Sequence, residues 1–169
     1  MASSQNQGPG DSELDDHGEQ AGSTGDVFLA GEIRDGVHHL AARVYFADTD
    51  FSGVVYHARY LEFLERGRSD FLRLAGVHHT ELAGGLHGEA LIWVVRRMEI
   101  DFKASARIDN VLLIETRVDE ISGARVFMAQ GINCGDRKLV TARVEAAVIG
   151  TDGRPRRFPK DWIGRFMPG

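Results

Sequence analysis

The sequence predicts an α+β fold in which an antiparallel sheet wraps one long helix. Three observations predict it. A single strand pattern precedes one long amphipathic helical pattern, four more strand patterns follow, and the links between the later strands are short enough to make hairpins. At 169 residues the chain is long enough to close one apolar core, and residues 27–169 read as a single domain.

Residues 1–26 hold six acids (Asp11, Glu13, Asp15, Asp16, Glu19, Asp26), no Lys or Arg, and almost no large apolar group. Such a segment buries too little surface to offset its ordering entropy, so a disordered acidic tail is expected. Val27, Phe28 and Leu29 are able to dock on the body, while Gly31 and Gly36 limit regular structure before residue 37. From Val37 to Phe46 the parity is that of a strand, with Leu40, Ala42, Val44 and Phe46 on one side.

Asp48-Thr49-Asp50 and Ser52-Gly53 then end the strand as a loop. A helix is expected from near His57, because Tyr60, Phe63, Leu64, Gly67, Phe71 and Leu74 fall on one stripe at three- and four-residue steps. Gly67 in that stripe costs about 1 kcal/mol against Ala, which predicts another backbone pressed close there. Gly76 is placed as the C-cap. Residues 77–89 read as a loop with room for a short helical turn.

Leu91–Phe102 is the next strand, with Ile92, Val94, Met98, Ile100 and Phe102 assigned to one face. Asn110–Glu120, Ala124–Asn133 and Lys138–Ile149 follow, separated by turns at Ser122-Gly123 and Gly135-Asp136. In the last strand Val140, Ala142, Val144, Ala146 and Val148 alternate with Thr141, Arg143 and Glu145. Its small alanines would let a helix lie close to the sheet. An exposed sheet edge would want pairing, and edge-to-edge dimerisation satisfies it.

Composition excludes several function classes. Removing the tail leaves 20 basic against 19 acidic side chains, so the body lacks the basic excess of a general nucleic-acid binder. Cys134 is the only cysteine, which rules out an intrachain disulfide and points to a reducing compartment. With no secretory signal pattern and no run of 18 or more apolar residues, a cytoplasmic protein without a membrane span is expected. No G-x-S-x-G elbow, P-loop or H-E-x-x-H is present, and the pairs His38-His39 and His78-His79 lack zinc-site spacing, so no metal is expected.

Arg43-Val44-Tyr45-Phe46-Ala47-Asp48-Thr49-Asp50 and Gly53-Val54-Val55-Tyr56-His57-Ala58-Arg59-Tyr60 form a distinctive pair of segments. With Val94-Val95-Arg96-Arg97-Met98 and Ala106-Arg107-Ile108-Asp109-Asn110, they resemble the hot-dog-fold acyl-CoA thioesterases of the 4-hydroxybenzoyl-CoA thioesterase type. The resemblance covers roughly residues 37–166 and is nearest to the branch associated with the bacterial Tol-Pal system. It implies a five-stranded antiparallel sheet around a central helix, in homodimers or homotetramers with sites at the dimer interface. It further implies an acyl-CoA substrate, no cofactor beyond the coenzyme A that the substrate carries, and association with cell-envelope machinery. The family's functional aspartate falls on Asp50, and the backbone N–H that polarises the thioester carbonyl falls on His57. Phe46 stands where the branch often carries Tyr, and Ser105 and Asn110 where Pro and Asp are usual.

The chemistry is consistent with that resemblance. A carboxylate attacks a thioester carbonyl directly or deprotonates a water, and a helix N-terminus supplies oxyanion donors. Asp50 and the Gly53–His57 amides, Val54 included, are spaced for this, although spacing alone serves equally an Asp that caps a turn. Asp48 is assigned to loop shape. The His57 side chain either orients Asp50, touches substrate, or simply begins the helix. Tyr56 and Glu65 are candidates for lining the site. Arg96 breaks an apolar row, so it must reach water, an acid or a ligand phosphate. Arg154, Arg156, Arg157 and Lys160 form a basic cluster suited to coenzyme A phosphates or to a solvated tail. Two other classes stand beside hydrolysis: an enoyl-CoA hydratase or dehydratase, which would need the His57 side chain, and a non-catalytic acyl-CoA-binding module.

Overall fold

The computed structural model describes residues 30–85 and 88–167. The acidic segment 1–26 and Val27, Phe28 and Leu29 lie outside the described residues. Six strands form one antiparallel sheet in the order β1-β2-β4-β5-β6-β3. They are β1 (Glu32–Arg34), β2 (Val37–Arg43), β3 (Leu91–Phe102), β4 (Val111–Ser122), β5 (Arg125–Cys134) and β6 (Arg137–Gly150). The long helix α1 (His57–Leu74) lies across β2, β4 and β5, and α2 (His79–Ala83) and α3 (Lys160–Phe166) are short. The wrapped-helix architecture is as expected, with one strand more than the expected five.

That extra strand is β1, whose Glu32, Ile33 and Arg34 pair with His39, His38 and Val37. The glycines expected to limit regular structure here instead help to create it. Asp35 and Gly36 both take positive φ, of 50° and 74°, which is what a two-residue hairpin turn requires. Gly31 has room for no side chain, since a Cβ there would stand 2.2 Å from the His39 carbonyl oxygen. Its N–H donates to Asp70 Oδ2 at 2.7 Å, an oxygen also 2.8 Å from Nε2 of the buried His38.

Helix α1 buries Tyr60, Phe63, Leu64, Gly67, Arg68, Phe71 and Leu72, so Leu72 rather than Leu74 faces the core at its last turn. Its end explains the choice. Val77 N–H reaches the Leu72 carbonyl (2.8 Å) and Gly76 N–H the Arg73 carbonyl (2.9 Å), with Gly76 at φ 74°. This is a Schellman stop, and its usual apolar contact brings the buried Leu72 and Val77 together.

Two expectations about side-chain placement change. Beneath Gly67 it is side chains, not backbone, that press close: an added Cβ would meet Ile114 Cγ2 at 2.7 Å and Thr116 Oγ1 at 3.0 Å. In β3 the register shifts between Val95 and Arg97. Trp93 faces Val148 and Val95 faces Ala146, in the inner row, and beyond the bulge Met98, Ile100 and Phe102 take over that row. Ile92 and Val94, opposite Ile149 and Ala147, therefore belong to the outer row. Phe46 also leaves the core row, because β2 ends at Arg43 and Phe46 opens a 3-10 turn, 82 % exposed.

The core has two parts along α1. One gathers Tyr60, Phe63, Leu64, Ile114, Ile132 and Val140, and the other Phe71, Leu72, Met128, Val144, Trp162 and Phe166. The C-terminal segment thus carries core aromatics, with Trp162 edge-on to Phe158 at 5.5 Å between centroids. Its basic residues are largely partnered. Arg156 binds Glu89 (2.8 Å) and Asp152 (3.2 Å), and Arg165 lies 3.5 Å from Asp161.

Gly67→Ala is expected to destabilise the fold. A methyl against a fully buried, β-branched Ile114 overpacks the contact by about 1–3 kcal/mol, which outweighs the ~1 kcal/mol helix propensity gained. Urea denaturation should show a lower midpoint, and a raised one would contradict this reading of the helix seat.

Candidate active site

Where β2 stops, the chain remains tied to the segment ahead of β4. Val44 N–H donates to the Asn110 carbonyl at 2.9 Å, and Asp109 N–H returns to the Val44 carbonyl at 3.0 Å. The 3-10 turn Phe46–Asp48 follows, with Asp48 at its hub. Its Oδ2 accepts Tyr45 N–H (2.8 Å), and its carbonyl accepts Tyr56 N–H (3.0 Å). Asp48 thereby sets the loop's shape.

A tight turn carries Asp50. Gly53 N–H donates to the Asp50 carbonyl and Asp50 N–H to the Val54 carbonyl, both at 3.0 Å, with Gly53 at φ 74°. The turn is pinned from behind. Val55 N–H donates to the Ala106 carbonyl (2.9 Å), Val54 bridges Arg107, and the Tyr60 hydroxyl accepts Ala106 N–H at 2.8 Å. Tyr60 thus joins the first turn of α1 to the 103–110 loop, and its burial raises its pKa.

The Asp50 carboxylate is divided in its bonding. Oδ1 accepts the Ser52 hydroxyl and the Ser52 N–H (2.8 Å), while no donor among the described residues reaches Oδ2. The hydroxyl bond first, and the N–H bond second, hold the carboxyl below the usual range. Partial desolvation opposes this, and His57 adds a smaller downward pull. Asp50 lines a cavity of about 490 Å³ with Phe46, Thr49, Phe51, Gly53 and Ile108.

Beside it α1 begins without a side-chain cap. Tyr56, the N-cap residue, is extended (φ −60°, ψ 133°) and offers its own side chain to no helix N–H. Of the nearby amides, those of Gly53, Val55 and Tyr56 are bonded within the loops, whereas those of Val54, His57 and Ala58 find no acceptor among the described residues. The first turn contains no acid, so the positive end of the helix dipole is uncompensated.

The loop and helix start therefore bring together Asp50, Gly53, Val54, Tyr56 and His57. The Tyr56 and His57 rings lie 4.4 Å apart, and His57 meets Phe102 edge-on at 6.3 Å. Two other predicted site residues are not brought there within one chain. Glu65 stands eight residues along α1 from His57, about 12 Å. It accepts the Ser69 hydroxyl at 2.5 Å and lines a separate cavity of about 500 Å³ with Ser69, His78 and His79. Arg96 is the extra residue of the β3 bulge and pairs with Glu145 at 2.6 Å, on the acid Arg125 also reaches. A larger hollow of about 740 Å³, lined among others by Glu99, Asp101, Arg117 and Arg143, opens on the outer face of the sheet without Asp50.

Ser52, Phe51, Ile108 and Arg107 were not marked by the sequence as part of this region. Ser52 had a signal, since an Asp two residues before a Ser is a common turn-forming pair. Arg107 had none. Its Nη1 lies 3.9 Å from where a Cβ on Gly53 would stand, and no carboxylate of the described residues is in salt-bridge range of it. No cluster of His, Cys, Asp and Glu suited to a metal occurs among the described residues, and no described helix is long and apolar enough to cross a membrane.

Comparison with known proteins shows the family. Residues 44–166 match the thioesterase-like superfamily. Acyl-CoA thioesterase YbgC of Haemophilus influenzae is 38% identical over 125 residues, which cover 73% of this chain and 90% of that one. The crystal structure of a probable thioesterase from Bartonella henselae superimposes with a TM-score of 0.71 at 60% identity, covering 73% of this chain and 99% of that one. A 4-hydroxybenzoyl-CoA thioesterase mutant, complexed with 4-hydroxybenzoyl-CoA, shares the fold at a TM-score of 0.71 and 18% identity, over 78% and 99% of the two chains. The chain belongs to the thioesterase-like superfamily, with the YbgC acyl-CoA thioesterases among its relatives.

Proposed function

We propose that the protein hydrolyses the thioester of an acyl-coenzyme A to the free carboxylic acid and coenzyme A. The observation that carries this reading is the Asp50 carboxylate, with one oxygen unbonded, in a cavity beside an uncapped helix start. The thioester carbonyl is electrophilic and its thiolate leaves well. Asp50 therefore serves in either of two ways: it attacks the carbonyl carbon to give a mixed anhydride that water hydrolyses, or it takes a proton from an attacking water. In both, negative charge grows on the carbonyl oxygen, and the N–H groups of Val54, His57 and Ala58, which find no acceptor among the described residues, are proposed as its donors. Coenzyme A enters as part of the substrate, and no cofactor is invoked.

A complete site is proposed to need a second copy of the chain. The outer edge of β3 has no partner strand among the described residues and exposes Ile92, Val95 and Phe102. Pairing there gives the homodimer, with the homotetramer as its doubling, and substrate contacts from Glu65 and Arg96 would come across a subunit boundary. A cytoplasmic setting and association with cell-envelope machinery rest on the sequence resemblance and belong to the same proposal.

Asp50→Asn is expected to lower turnover of acyl-CoA by roughly a hundredfold or more, with circular dichroism and melting temperature preserved. Turnover close to wild type would end the assignment. The pH profile gives a second check. The ionised carboxylate is the active form and its pKa is depressed, so activity is retained at mildly acidic pH and lost only as pH falls through that depressed value. Ser52→Ala removes the largest lowering influence. The acid limb of kcat/KM should therefore move to higher pH, and an unmoved limb would show that another group sets it.

A further inference from the structure

The walls of the Asp50 cavity carry information about which arm of the substrate they meet. Phe51 is fully exposed, Phe46 nearly so and Ile108 about half, yet all three share one hollow with the carboxylate. Each is held in place by backbone structure. Phe51 sits inside the turn closed from Gly53 to Asp50, the Phe46 carbonyl accepts the Thr49 N–H (3.1 Å) and hydroxyl (2.9 Å), and Ile108 follows the Arg107 that bridges Val54. Two phenyl groups left in water contribute no burial to the fold, and side by side on one cavity wall they make an apolar patch of the kind that marks a binding site.

We infer that Phe46, Phe51 and Ile108 bind the acyl substituent of the thioester and select an apolar acyl group over a short or charged one. This rests on the hydrolase reading. If Asp50 acts at the carbonyl carbon, the groups sharing its cavity lie beside one of the two arms that carbon bears. Next to the thioester the coenzyme A arm carries pantetheine amides, which need polar partners that two phenyl rings and an isoleucine do not supply. Its one aromatic ring, the adenine, lies at the far end beyond the phosphates. The acyl arm needs no such partners. The cavity of about 490 Å³ is within the size of ordinary small-molecule sites.

The test is calorimetric titration of S-alkyl coenzyme A thioethers of increasing chain length, which cannot be hydrolysed, against the full chain and its Phe51→Ala and Phe51→Leu variants. Wild-type affinity should rise about threefold to fourfold per methylene, the increment for burying one CH₂. In Phe51→Ala that increment should fall below about twofold, with Phe51→Leu between. An equal weakening of coenzyme A and every thioether would overturn the inference, as would an unaltered increment. Dissociation of a wild-type dimer by Phe51→Ala in sedimentation equilibrium would also overturn it, because Phe51 would then face a second copy. Chain-length-dependent binding with no hydrolysis of any acyl-CoA would support the apolar pocket and defeat the hydrolase reading, so the two failures are distinguishable.

Discussion

The structure depends on how closely α1 can lie on its sheet. At Gly67 the helix has no side chain, and Ile114 and Thr116 of β4 occupy the space one would fill. From β5, Gln130 reaches up to the Leu64 carbonyl at 2.9 Å and holds Thr116 Oγ1 at 2.8 Å with the same amide nitrogen. These contacts fix the helix's height and rotation near its middle. A rigid helix fixed in its middle also has its ends fixed, so the position of the His57 and Ala58 amides at its N-terminus is set some ten residues away by packing.

Polar groups under the helix make the seat specific. Arg68 is buried, donates to the neutral Gln130 Oε1 at 2.8 Å, and has its pKa lowered by desolvation. Nearer the C-terminus, Asp70 gathers Gly31 N–H and His38 and so ties the β1–β2 hairpin to the helix. Purely apolar contacts would tolerate a helix rotated by a fraction of a turn. Arg68, Gln130 and Asp70 would not, since the first two would lose buried hydrogen bonds and the third part-buried ones. Burying such groups is costly in stability, and what it yields here is one orientation.

Much of this was legible in the sequence, for identifiable reasons. The stripe from Tyr60 to Phe71 and the alternation from Val140 to Val148 are strong because each repeats over several turns or pairs against one buried face. β1 was hidden because Asp35-Gly36 and Gly31 look like loop chemistry until the partner strand is known. The β3 bulge was hidden because a shift of parity in an apolar stretch leaves both registers plausible, as Ile92 and Val94 show. Within the site, Asp50, Gly53 and His57 were readable because the turn and the helix start are local. Ser52's grip on Asp50 is local too, but competed with many other loop polar groups. Glu65 and Arg96 depend on which surfaces meet across tertiary and quaternary distances, and that lies beyond any pattern along the chain.

The bulge at Arg96 has a consequence for behaviour in solution. A long, flat, unpaired edge is a template onto which strand after strand can add, the geometry that leads to fibrils. In β3 the side-chain rows exchange faces at Arg96, and a charged pair with Glu145 marks the exchange. An incoming strand that matches the rows on one side of this kink is out of phase on the other unless it carries a matching kink. A second β3 edge would carry the matching kink and fit in one alignment, whereas a strand without it would not, so the kink disfavours indiscriminate stacking when the protein is concentrated.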